Sequence, residues 1–235
     1  LLAASVVSMP LAGVQASPAS VSARVTPMDT GQKMPAAERA AIDASAQEFL
    51  ANSLDGTPGL WIAVWDPKRG YYEQAYGKAA VDGTPATVRD HFLIGSATKT
   101  VFATAVLEQV SAGKLKLTDT IARLDPALAR TYPVAAKKTI AQLLGMTSLI
   151  PDYADAAVAK LFANPQQRFT RDSLIALGLA EGTPIAAPGG YSTTNYLLLG
   201  KVMKTVTGKT PEQLVNAVFR QAGMSQSRLM TGNVT

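Results

Sequence analysis

GSATKTVFATAVLEQVSAGKL, residues Gly95 to Leu115, decides how this chain is read. Ser96 stands three residues before Lys99, at the start of a helical pattern, and a second pair, Ser111 and Lys114, closes the stretch. Residues three apart share a helix face. With Ser96 in the first turn, the positive end of the helix dipole lowers the cost of negative charge on its oxygen. A buried Lys99 would lose its proton cheaply and could then accept one from the serine, which is a weak nucleophile without such a partner. Ser-x-x-Lys by itself is a weak signal, since roughly one match is expected by chance in a chain of this composition. Ser111 to Lys114 illustrates this: the four residues span a helix end, with Gly113 as breaker, and the pair reads as structural. On spacing alone, an N-cap Ser96 with a solvated Lys99 is the stronger reading.

Composition narrows the chemistry. The 235 residues are 47% apolar and 17% charged, which describes a globular chain with a sizeable core. The net charge of +5 comes from scattered basic residues, with no run longer than a pair such as Lys137-Lys138. That is a mildly basic surface and not a nucleic-acid stripe. There is no cysteine, which excludes disulfides, thiolate metal sites and cysteine nucleophiles. The single histidine, His91, excludes a multi-histidine zinc site, and a Ser-His-Asp triad would have to use it. His91 reads as a structural or loop residue in the approach to the helix. No metal or cofactor is expected.

The organisation along the chain is uneven. LLAASVVSMPLAGVQASPAS at the start is apolar, then Ser- and Pro-rich, with VQA before Ser17 resembling a cleavage site. Residues 1–33 therefore read as a signal-like segment and linker, which implies export to the periplasm, the cell envelope or the medium. No later apolar run reaches the roughly 18 residues of a membrane span. Pro35 to Ser53 reads as a helix with Ile42, Ala46, Phe49 and Leu50 on one face. Gly59 to Asp66 and Tyr71 to Gly77 read as strands of a hairpin joined by the turn residues PKRG. The stretch DGTPATVRDHF reads as loop. Helices are predicted at Thr98 to Val110, Thr139 to Met146, Ser173 to Gly178, Tyr196 to Val206 and Pro211 to Gln221. No alternation of strand and helix recurs, which disfavours a Rossmann or TIM-barrel reading.

A second constellation raises Ser96. PGGYSTTNYLLLGKVM puts Tyr191 in a Gly-rich loop before an apolar helix, where a phenol can face a cleft and relay protons. Taken with FLIGSATKT, LLGMTSLIPDY and TGKTPEQLV, the order and spacing resemble the serine β-lactamase and penicillin-binding family. That family includes class C β-lactamases, D-alanyl-D-alanine carboxypeptidases and lactamase-like carboxylesterases. The resemblance runs from about Met34 to the C-terminus.

The resemblance implies an α+β fold of the β-lactamase/transpeptidase type, with an antiparallel sheet packed on a mostly helical region and the site between them. It implies that Ser96 is the acylated nucleophile, that Lys99 helps to deprotonate it and that Tyr191 passes a proton to the leaving group. The backbone N–H of Ser96 would form half of an oxyanion hole. Thr193 stands where the family's Tyr-x-Asn motif has asparagine and is the expected substrate contact, while Asn195 reads as structural. The family's HTSG stretch is MTSL here, Met146 to Leu149, and Leu149 is expected to block a left-handed backbone that glycine allows. Thr207 to Thr210, TGKT, is not a phosphate-binding loop, because Met203 stands where that motif needs glycine. The family's third motif, Lys-Thr-Gly or His-x-Gly on a late strand, is not found.

Residues 34–235 are therefore expected to be the N-terminal and helical part of a serine β-lactamase-like hydrolase domain. The later sheet strands would come from a C-terminal partner segment. The expected activity is that of an exported serine hydrolase acting on a D-Ala-D-Ala peptide, a β-lactam or a small ester. The competing reading is a catalytically silent penicillin-binding-like domain that binds cell-wall peptide or a partner. A helical scaffold without a site is the third.

Overall fold

A computed structural model of the protein describes residues 31–53 and 56–230. The signal-like segment predicted at the N-terminus lies, up to residue 30, outside the described residues. Contacts divide the chain into two units, Leu1–Phe92 and Leu93–Thr235. No helix among the described residues is long and apolar enough to cross a membrane.

The first unit is a helix on a hairpin. Helix α1 (Ala36–Asn52) opens behind Pro35, whose φ of −54° leads the chain into the first turn. Strands β1 (Gly59–Asp66) and β2 (Gly70–Gly77) pair antiparallel, with Gly59 opposite Gly77 and Asp66 opposite Gly70. The turn is closed by Asp66, whose Oδ1 accepts the N–H groups of Lys68 and Arg69, each at 2.8 Å. Gly70 has φ +99° and could not be another residue: a Cβ there would lie 2.3 Å from the carbonyl oxygen of Gln32. That approach lets Gln32–Met34 bond the outer edge of β2, with the Tyr71 N–H donating to Gln32 at 2.8 Å and the Met34 N–H donating to Tyr71 at 3.1 Å. This short bridge covers part of the β2 edge of the hairpin. Asp43 on α1 fastens the helix to β2 by accepting the hydroxyls of Tyr72 and Tyr76.

The second unit is helical and is organised around α8 (Thr194–Thr207). Leu198, Leu199, Val202 and Met203 are all fully buried, so the helix is apolar around much of its girth and sits at the centre of its unit. Around it pack α3 (Ile121–Leu124), α5 (Ile140–Leu144), α7 (Arg171–Glu181) and α9 (Pro211–Gln221). Helix α2 (Thr98–Ser111) lies against α9. Gly208, at φ +70°, ends α8, and Thr210 caps α9 in a reciprocal capping box with Gln213. The TGKT stretch therefore forms the turn from α8 into α9.

Some boundaries depart from expectation. The helix predicted at Ser173 to Gly178 is the middle of the longer α7, which Thr170 caps. Thr139 is the cap of α5 and Gly145 follows its last residue, so that helix is shorter than predicted. Three helices were not anticipated: α3, α4 (Pro126–Thr131) and α6 (Ala154–Ala163). The first two, of four and six residues, are set by the caps Thr120 and Asp125 and are too short to show a period.

Candidate active site

Ser96 sits in a 3₁₀ turn, Gly95–Ala97, that runs directly into α2. Gly95 has φ +51°, a left-handed value that glycine adopts freely, and it turns the chain into the helix. The serine thus lies at the positive end of the α2 dipole. One turn on, Lys99 points back along the same face, and its Nζ donates to Ser96 Oγ at 3.0 Å.

The third group comes from the loop before α8. Tyr191 Oη donates to Ser96 Oγ at 2.7 Å. The Lys99 ammonium lies 4.9 Å from the centre of the Tyr191 ring and 5.8 Å from that of Tyr196, so two aromatic faces flank the cation. Partial burial raises the Tyr191 pKa, but hydrogen bonds from Lys99 and Ser96 and the charge of Lys99 outweigh it, and the phenol sits below its ordinary 10.0. Thr193 adds a weaker push in the same direction. Reversing the Tyr191–Ser96 bond, with the serine donating to a phenolate, is the geometry of proton abstraction.

Lys99 is partly buried and Ser96 is exposed. The charge and hydrogen bond of Lys99 act on the phenol beside it. Thr193 lines a cavity of about 480 Å³ that also reaches Ser96, Lys99, Phe102, Tyr196 and Leu197. Its backbone N–H donates to Asp152 Oδ1 at 2.9 Å. Ser111 is the exposed last residue of α2 and Lys114 lies in the exposed turn that follows, where its N–H donates to the Gln109 carbonyl at 3.0 Å. His91 is on an exposed loop of the first unit.

The expectation for Leu149 is overturned. Leu149 adopts φ +63° and Met146 adopts φ +56°, both left-handed. Such backbone costs on the order of 1–3 kcal/mol per residue and persists only where its surroundings hold it. Ser148, between them and fully buried, accepts the Ile150 N–H at 3.1 Å and donates to Asn195 Oδ1 at 2.6 Å. Sequence reasoning placed Asn195 as structural but did not find its partner, because no spacing rule links residues 47 apart.

The chain is similar to known proteins in sequence and in fold. The profile of the family described as beta-lactamase matches residues 43–231. A putative penicillin-binding protein, PbpX, of Bacillus subtilis (strain 168) is 30% identical over 139 residues, covering 58% of this chain and 32% of that protein. The D-amino acid amidase of Ochrobactrum anthropi SV3 superposes with a TM-score of 0.66 at 25% identity, over 80% of this chain and 52% of its own. A D-stereospecific amidohydrolase of a Streptomyces species gives 0.60 at 27% identity, over 74% and 52%. The chain thus spans about half the length of these solved structures and about a third of the curated relative. The fold is the α+β, β-lactamase/transpeptidase-like one that the motifs implied. By the extent of the match, which takes in Ser96, Lys99 and Tyr191, the chain belongs to the beta-lactamase family.

Proposed function

We propose that the protein is an exported serine hydrolase of the cell envelope that works through an acyl-enzyme on Ser96. One observation carries the reading: a single serine oxygen at a helix N-terminus receives both Lys99 Nζ at 3.0 Å and Tyr191 Oη at 2.7 Å. The Ser96 proton passes to the phenolate of Tyr191 beside the Lys99 ammonium. Ser96 Oγ then bonds to the substrate's carbonyl carbon, and the leaving group departs with the proton that Tyr191 returns. Water repeats the sequence to release the acid and regenerate the serine.

The substrate is a D-Ala-D-Ala peptide, a β-lactam or a small ester or amide. The amide is included because structural relatives are named as an amidase and an amidohydrolase. The cavity beside Ser96, with Phe102, Tyr196 and Leu197 in its wall, supports an acyl group of modest size and apolar character. A catalytically silent penicillin-binding-like domain is the second reading. It is favoured by Thr193, whose side chain is shorter than the asparagine of the family motif.

A fluorophosphonate or fluorescent penicillin applied to the full-length protein tests both. Covalent label on Ser96, absent in Ser96→Ala and retained in Ser111→Ala, is the expected result. Label on Ser111, or label that survives Ser96→Ala, removes the assignment. Label without turnover of ester or peptide favours the silent domain.

A further inference from the structure

Tyr191 is 50% exposed, so packing on its ring does little to fix it. Its backbone neighbours are fixed instead, and by one partner, the segment Met146–Asp152. Before Tyr191, the Gly189 N–H donates to the Met146 carbonyl at 2.9 Å. After it, the hydroxyls of Ser192 and Thr194 both donate to the Pro151 carbonyl, at 3.2 and 2.7 Å. Ser192, Thr194, Asn195 and Ser148 are all buried, so these bonds form away from competing water.

Asn195 is where the two segments lock. Its Oδ1 accepts the Ser148 hydroxyl at 2.6 Å and its Nδ2 faces Met146 Sδ at 3.3 Å. Ser148 in turn closes the turn between the two left-handed residues, Met146 and Leu149. An apolar side chain at 195 would leave the buried Ser148 hydroxyl without its acceptor. The strained turn would then have less to hold it, and the Met146 carbonyl that anchors Gly189 would move with it.

We propose that Asn195 and Ser148 are positioning residues for Tyr191. Their buried hydrogen bond ties the Met146–Asp152 segment to the first turn of α8 and keeps the phenol within hydrogen-bonding reach of Ser96. The proposal rests on the reading that Tyr191 exchanges a proton with Ser96. Neither residue touches the reacting atoms; both act through the loop that carries Tyr191.

The test is a double-mutant cycle in the full-length protein. Asn195→Ala and Ser148→Ala are each made alone and with Tyr191→Phe. The rate of Ser96 labelling by a fluorophosphonate is followed against pH, beside the thermal midpoint. Each single variant is expected to label roughly 10- to 100-fold more slowly, the range for a misplaced catalytic group. The rising limb of its pH profile moves to higher pH, because the phenol loses contacts that lower its pKa. Combined with Tyr191→Phe, either change adds little. Losses that multiply fully in the Tyr191→Phe background overturn the proposal, as does a lowered midpoint with wild-type rate and pH profile. Where Asn195→Ala does not fold, Ser148→Ala carries the same cycle. A wild-type protein that takes no label on Ser96 is a separate failure: it removes the hydrolase reading, and this proposal with it.

Discussion

Tyr191 Oη and Ser96 Oγ stand 2.7 Å apart although 95 positions separate them in the chain. The phenol is half exposed and buries little apolar surface, so its removal tests chemistry more than stability. Tyr191→Phe is expected to slow acylation by on the order of 10²–10⁴, the usual cost of losing a general acid–base group. The thermal midpoint should stay near wild type. Stopped-flow acylation and thermal unfolding check this together, and a variant that acylates at full speed would remove Tyr191 from the mechanism.

Lys99 lowers the Tyr191 pKa through a hydrogen bond and its charge. A depressed phenol pKa means that phenolate forms at a lower pH than in free tyrosine, so the rising limb of the acylation profile should lie below pH 10. Lys99→Met is expected to shift that limb upward and to reduce the rate at neutral pH. An unmoved limb in this variant would mean that the ammonium does not act on the phenol.

Gly178 on α7 allows a close approach that no other residue permits. A Cβ at that position would lie 2.7 Å from Thr194 Oγ1 and 3.1 Å from Tyr153 Cβ. Thr194 is fully buried and bonded, so it has little room to retreat. Gly178→Ala should destabilise the protein by about 1–3 kcal/mol, the cost of overpacking. Denaturant unfolding measures it, and a neutral result would show that α7 can shift.

Leu149 is 43% exposed and holds φ +63°, so it bears left-handed strain with only part of its side chain buried. Leu149→Gly relieves that strain but adds freedom to the unfolded chain, and the balance favours the folded state by up to about 1 kcal/mol. A raised thermal midpoint is expected. A large fall would mean that the leucine side chain holds the turn by packing.

Asp43 holds a carboxylate between the hydroxyls of Tyr72 and Tyr76, and these bonds keep its pKa below 3.8. A carboxylate with a depressed folded pKa stabilises the fold above its unfolded value and loses that contribution as pH falls through the folded one. The attachment of α1 to β2 should therefore hold at neutral pH and weaken in acid, below about pH 3.8. In Asp43→Asn the acid dependence should disappear. Tyrosine fluorescence against pH distinguishes the two, and identical acid profiles would count against the clamp.

What the sequence determined was local. The spacing of Ser96 and Lys99 needs only one helix turn to bring Nζ to Oγ, because residues three apart share a face. The hairpin followed from two strand-like runs joined by the turn residues PKRG, and the apolar character of α8 followed from its leucines and valines. The order of the motifs was enough for the family. The tertiary structure decided everything that joins distant segments. The path of the loop that carries Tyr191 depends on Pro151, Asp152, Ser148 and Asn195, single hydrogen bonds with no periodicity to betray them. The left-handed Leu149 is a case where surroundings override local preference: a buried serine bonded to a distant asparagine holds a backbone that leucine alone would avoid. Helix geometry repeats and can be read from spacing; a loop's path is set by whichever remote partners satisfy its polar groups, and only the folded chain brings those partners together.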